Sequence, residues 1–134
     1  KEAFFALSEV RLGLIPAVIS PFVVAAMGPR QARRFFLTGE RIDADTARRI
    51  GLVHMLAAPF NLEATLDGAL KHLLACGPVA QGEAKALIRA VAGRPITDDL
   101  HDETAAWIAR LRASAEGKEG MTAFLEKRKP SWVK

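Results

Sequence analysis

The chain has 134 residues, half of them hydrophobic and a quarter charged, with a formal net charge of +4 at pH 7. That length holds one domain with a modest core, and the balance is ordinary for a soluble globular protein. The lone Cys76 excludes an internal disulfide and fits a reducing, cytoplasmic setting, and no run of roughly 20 apolar residues is present to span a membrane.

An apolar run at residues 3–7 predicts a short buried strand, followed directly by Ser8 and Glu9 and a turn at Gly13. Pro16 suits the first position of a helix, and the uncharged stretch after it predicts a buried helix over about 16–27, kinked or restarted at Pro21. Gly28 and Pro29 end that helix and open another over 30–37, with Ala32, Phe35 and Phe36 on one face. Arg41 and Ile42 add a brief extended segment. Asp43 is a candidate N-cap for a short helix through Ile50, stopped at Gly51. Residues 52–56 are the best remaining strand candidate.

From Asn61 onward everything reads as helix. Leu62, Leu66, Ala69, Leu70, Leu73 and Leu74 share a face that ends at Gly77 and Pro78. Ala84, Leu87, Ile88 and Val91 make a second stripe, closed by Gly93 and Pro95. Leu100, Trp107, Ile108 and Leu111 make a third, starting near Thr97 or Asp98, and a last helix covers about 118–128. The fold class is therefore mainly α with one or two short strands, and the change of character near Pro59 divides the chain into 1–58 and 59–134.

Cys76, beside Gly77 and without a nearby His or Cys, is expected to be a buried, inert thiol, and Trp107 is most simply core. His54, His72 and His101 lack partners at ligand spacing, so no metal site is expected. The basic residues are scattered among acids, tyrosine is absent, and nucleic-acid binding is not expected. Arg128 and Lys129 read as general surface charge. Lys1 and Glu2 lead straight into the first strand, so no secretory signal is expected at the start.

Glu9 stands out because it is a single carboxylate between an apolar strand and an apolar helix. Acids in such surroundings hold their proton closer to neutral pH, which suits proton transfer. On spacing alone, a glutamate that caps a turn or pairs with Arg11 at the surface is the commoner occupant of such a position. Phe124 and Lys127, three apart on the last helix, read alone as a core aromatic and a solvated lysine.

Residues 3–16, with Ser8, Glu9, Gly13 and Pro16, resemble the segment of the crotonase (enoyl-CoA hydratase/isomerase) superfamily that carries its second catalytic glutamate. The likeness continues through Gly28, Phe36, Thr38, Gly39, Glu40, Gly51 and Val53, and closes with Glu119, Gly120, Phe124, Glu126, Lys127 and Arg128. It implies the end of the family's ββα spiral in 1–58, with the C-terminal helical trimerisation region in 59–134. It also implies that the chain is a piece of a longer protein or a shortened relative, and that alone it is inactive.

The resemblance implies an enoyl-CoA hydratase in fatty-acid metabolism, acting on an acyl-CoA substrate, with no separate cofactor because CoA is part of that substrate. Glu9 matches the second catalytic glutamate. The first glutamate and both oxyanion-hole donors lie in family segments preceding this stretch. Phe124 and Lys127 match positions that meet the adenine and phosphates of CoA, and the assembly implied is a homotrimer or a dimer of trimers. Ala17, Ile19 and Ser20 stand where common members carry glycines, which bears on the acyl pocket, and the variant with Val18 between them resembles members handling branched or glutaconyl-type esters. Isomerase, decarboxylase or thioesterase chemistry shares the fold, and a non-enzymatic helical association module is the reading from another class.

Overall fold

Phe4 and Phe5 favour extended backbone, and they form β1 (Phe4–Phe5) in the computed structural model, which describes residues 2–134. β1 pairs antiparallel with β2 (Ile42–Asp43), Phe4 opposite Asp43 and Phe5 opposite Ile42. The strand is shorter and wetter than the apolar run predicts. A two-stranded ribbon leaves much of each side chain uncovered, so Phe4 is 54% exposed, and burial begins only at Leu7.

A 3-10 helix, Ser8–Leu12, follows and ends at Gly13, whose φ of 72° is open to glycine without steric cost. Next comes α1 (Ser20–Thr38). Pro21 lies in its first turn, where a missing N–H costs nothing, so it starts the helix and does not kink it. The break falls at Gly28 (φ 76°, ψ 159°) and the helix restarts at Pro29, as the sequence predicts. The arm before the break is not the buried helix expected. It turns Val23 and Met27 inward and leaves Phe22 exposed, an amphipathic face against one core.

That core gathers Leu7, Val23, Met27, Ala32, Phe35, Ile42 and Ala47. β2 delivers the chain into α2 (Ala44–Arg49), capped as predicted by Asp43, whose carboxylate accepts the Thr46 N–H at 2.7 Å. That bond is the main cause holding the Asp43 carboxyl below its usual range. At Gly51 (φ 84°) the backbone runs so close to α1 that a Cβ would meet the Ala26 carbonyl at 2.9 Å. The strand predicted over 52–56 is absent. Leu52 and Val53 both donate their N–H groups to the Ala47 carbonyl, at 2.9 and 3.3 Å, and so fold the chain back onto the end of α2.

The chain divides into two compact units, one through Thr65 and one from Leu66 to Lys134. A 3-10 turn, Pro59–Asn61, leads into α3 (Leu62–Leu74), and α4 (Pro78–Val91), α5 (Asp98–Ala113) and α6 (Ala115–Leu125) follow. Thr97 caps α5 through the Leu100 N–H. Between α5 and α6, the Ser114 hydroxyl donates to the Leu111 carbonyl at 2.6 Å and accepts the Gly117 N–H at 3.1 Å. No helix among the described residues is long and apolar enough to cross a membrane.

Two expectations fail in this unit. Cys76 is exposed, as are the leucines of the apolar stripe of α3 that precedes it, and its thiol donates to the His72 carbonyl at 3.3 Å. Trp107 is only half-buried, with its indole N–H donating to Glu83 Oε2 at 2.5 Å and the Arg110 guanidinium 5.7 Å from its ring. Leu100 and Ala123 are the buried hydrophobic residues of the second unit, whereas Leu66, Leu70, Leu73, Leu74, Ile88 and Ile108 are exposed.

Candidate active site

Glu9 occupies the second position of the 3-10 helix, fixed by backbone bonds to its carbonyl. Its own carbonyl accepts the N–H groups of Gly13 and Leu14, the latter at 3.0 Å. The end of α1 presses on the same turn. Gly39, left-handed at φ 59°, lies so close that a Cβ there would be 3.1 Å from Arg11 Nε and 3.2 Å from Val10 Cγ1. The glutamate is thus anchored through its main chain and its two following neighbours, and its side chain is left free.

The carboxylate is unusual in one respect. Glu9 Oε2 is shut off from solvent and has no hydrogen-bond partner, the one buried side-chain polar atom so placed among the described residues. A structural glutamate would use that oxygen to cap the turn or to hold Arg11, and Glu9 does neither. An unmade hydrogen bond on a shielded oxygen costs about 1–3 kcal/mol or more, so the oxygen calls for a donor from outside these residues, whether a water, an ion or a reacting group.

Beside this turn lies an apolar recess of about 320 Å³ lined by Val10, Ile15, Pro16, Ala17, Ser20, Phe36 and Leu37. Ser20 turns its hydroxyl away, donating to the Ala17 carbonyl at 2.8 Å, so the lining offers no free polar group there. Ala17 and Ser20 contribute side chains where the family resemblance leads one to expect glycine. The recess has the apolar lining that suits a hydrocarbon group, and it meets the Glu9 turn through Val10.

The second predicted group departs from expectation. Phe124 lies in the last turn of α6, 81% exposed, and is not core. Lys127 does not share its helical face, because α6 stops at Leu125 and Lys127 turns left-handed at φ 55°. The two remain adjacent, with the Lys127 N–H donating to the Phe124 carbonyl at 3.2 Å. Arg128 is not general surface charge. Its guanidinium binds both Glu119 oxygens, at 2.7 and 2.9 Å, and its Nε donates to Glu126 at 2.7 Å. Glu119 also accepts the Ser131 N–H at 2.9 Å, and these bonds, Arg128 foremost, push its carboxyl down to about 2. Nine residues separate Glu119 from Arg128, too far for any helical pairing rule. The available signal was a lysine at a helix end where glycine is customary.

The profile of the Enoyl-CoA hydratase/isomerase family matches residues 1–134. A crotonyl-CoA hydratase of Syntrophomonas wolfei is 33% identical across 98% of this chain and 51% of its own length. An enoyl-CoA hydratase of Alternaria alternata, ACTT6, is 36% identical across 91% of this chain and 41% of its own. Among solved structures, an enoyl-CoA hydratase from Shewanella pealeana superposes with a TM-score of 0.92 at 45% identity, covering 97% of this chain and 48% of that one. The chain spans about half the length of the relatives it matches, and its architecture is that of the C-terminal half of the crotonase fold. Matched from first residue to last in sequence and overlaid on its solved relatives, the chain belongs to the enoyl-CoA hydratase/isomerase family of the crotonase superfamily.

Proposed function

We propose that the protein carrying this chain is an enoyl-CoA hydratase in which Glu9 is one of two acid–base glutamates. Water adds its oxygen to C3 of a 2-enoyl-CoA thioester. The electron pair of the double bond moves to the carbonyl oxygen as an enolate, and a proton is then delivered to C2. The chemistry needs a base to take a proton from water, an acid to give one to carbon, and N–H donors at the enolate oxygen. Glu9 suits the proton-transfer part. The partner glutamate and the enolate donors belong, on the family resemblance, to segments outside these 134 residues, so the chain alone is expected to be inactive.

The observation that carries this reading is the shielded, partnerless Oε2 of Glu9, set on a rigid turn next to an apolar recess. On the same reading, CoA arrives as part of the substrate and no further cofactor is required. Phe124 offers an exposed aromatic face to the adenine, and Lys127 a point charge to phosphate. Residues 1–58 form the end of the spiral, and 59–134 the region through which copies assemble as a homotrimer or a dimer of trimers. The leucines exposed along α3 support that assignment, since unpartnered apolar faces mark interfaces. The lone cysteine supports a cytoplasmic location.

The test is turnover of a short-chain 2-enoyl-CoA by the complete protein and its Glu9→Gln variant. Loss of a positioned acid–base group lowers kcat on the order of 10²–10⁴-fold. Activity within a few-fold of the unaltered protein would overturn the assignment.

A further inference from the structure

We infer that Arg128 is a positioning residue for CoA thioester binding: gripping Glu119 with both arms of its guanidinium, it holds Lys127 in a left-handed turn beside Phe124. The inference rests on the proposed nucleotide-binding role of Phe124 and Lys127, and adds the residue that gives the pair its geometry.

The end of α6 is a Schellman turn. The Arg128 N–H reaches back to the Ala123 carbonyl at 3.0 Å, and the Lys127 N–H to the Phe124 carbonyl at 3.2 Å. Glycine is the usual occupant of the left-handed position because a Cβ there crowds the following carbonyl. Lys127 occupies it at φ 55°, the one residue other than glycine with positive φ among those described. A strained conformation of this kind persists only where the surroundings over-determine it.

The surroundings do so here through Arg128. Its two bonds to Glu119 span nine residues, from the middle of α6 to the chain beyond it, and its Nε bond to Glu126 ties down the residue before the turn. Glu119 in turn holds the Ser131 N–H, and the Trp132 ring packs over Gly120, where an added Cβ would stand 3.1 Å from Trp132 Cη2. Ala123, whose carbonyl closes the turn, is 1% exposed. The turn is thus closed by backbone bonds at its inner end and by the Arg128–Glu119 pair at its outer end. Lys127 makes no side-chain hydrogen bond or ion pair among the described residues, so its ammonium is free for a ligand while its backbone is fixed.

A bidentate arginine fixes direction as well as distance, which a lysine at 128 would not do. Losing it releases the turn toward ordinary backbone conformations and changes the direction in which Lys127 leaves the chain next to Phe124. The effect falls on binding of the nucleotide and spares the chemistry at the acyl group.

The experiment compares Lys127→Ala, Arg128→Gln, Arg128→Lys and Glu119→Gln in the complete protein. KM and kcat are measured for a 2-enoyl-CoA and for the matching pantetheine thioester, which lacks the nucleotide. Arg128→Gln, Arg128→Lys and Glu119→Gln are each expected to raise KM for the CoA thioester roughly three- to tenfold, with kcat and the pantetheine KM little changed. Arg128→Gln placed on Lys127→Ala is expected to add nothing further, because Arg128 acts through Lys127. If Arg128→Gln does not fold, Glu119→Gln, which keeps an oxygen for the Ser131 N–H, breaks the same pair. A raised CoA KM in Lys127→Ala with no change in the Arg128 and Glu119 variants overturns the inference and leaves the nucleotide reading standing. Equal losses on both thioesters in the Arg128 and Glu119 variants mean a role in folding alone and also overturn it. Equal KM changes on both thioesters in Lys127→Ala overturn the nucleotide reading itself, and the inference with it.

Discussion

The carboxylate of Glu116 closes the N-terminus of α4: Oε2 accepts the Val79 N–H at 3.0 Å and Oε1 accepts the Ala80 N–H at 2.8 Å. The two residues joined stand 37 and 36 positions apart from Glu116 in sequence. A helix begins with N–H groups that have no partner of their own, and its first turn favours negative charge. Gly77 makes the approach possible, since a Cβ at that position would collide with the Glu116 side chain.

Glu116→Ala is therefore expected to lower the stability of the complete protein by about 1–2 kcal/mol, within the range for loss of a helix cap. Gly77→Ala should do the same by pushing the carboxylate out. Chemical denaturation measures both, and unchanged midpoints would show that α4 needs no cap.

Gly39 is expected to matter twice. Gly39→Ala forces an L side chain into the left-handed region, costing about 1–2 kcal/mol, and sets a methyl against Val10 and Arg11, the residues that follow Glu9. Asn tolerates that backbone better while still carrying a Cβ. Gly39→Asn should then recover part of the stability but none of the lost turnover. Full kcat in both variants would show that this contact does not set the position of Glu9.

Glu119 sets a pH window. Its carboxyl is pushed from the usual 4.5 to about 2, by Arg128 first and the Ser131 N–H second. A carboxyl depressed on folding contributes stability that is present above about 4.5 and is lost as pH falls through about 2. Comparing denaturation of the unaltered protein with Glu119→Gln should show the largest gap above pH 5 and convergence near pH 2, on the linkage between proton binding and folding. A gap that stays constant with pH would mean that the Glu119 charge is not coupled to folding.

Local rules found much of the fold. Asp43 as a cap, the stops at Gly28 and Gly51, the end of α3 before Gly77 and the start of α5 near Thr97 all depend on neighbours within four residues. The failures have more than one cause. Residues 52–56 had strand-like side chains, but two N–H groups bonding one carbonyl of α2 decided their path. The Glu116 cap and the Arg128–Glu119 pair join residues that no periodicity aligns. Cys76 was misjudged because the apolar face of α3 that leads up to it is itself exposed in this chain. Glu9 was legible as a lone acid between apolar runs, and only the fold shows that neither a cap nor Arg11 claims it.

Gly28 constrains α1 through torsion and not through space. Its φ of 76° and ψ of 159° lie in a region closed to L side chains, yet a Cβ built there meets nothing within 4 Å. A replacement would therefore act at a distance, by changing the angle between the two arms of α1. Val23 and Met27 reach the core from one arm and Ala32 and Phe35 from the other. The bend works as a hinge pin with a single admissible setting, and an error there would be felt in the core before it was visible at the glycine.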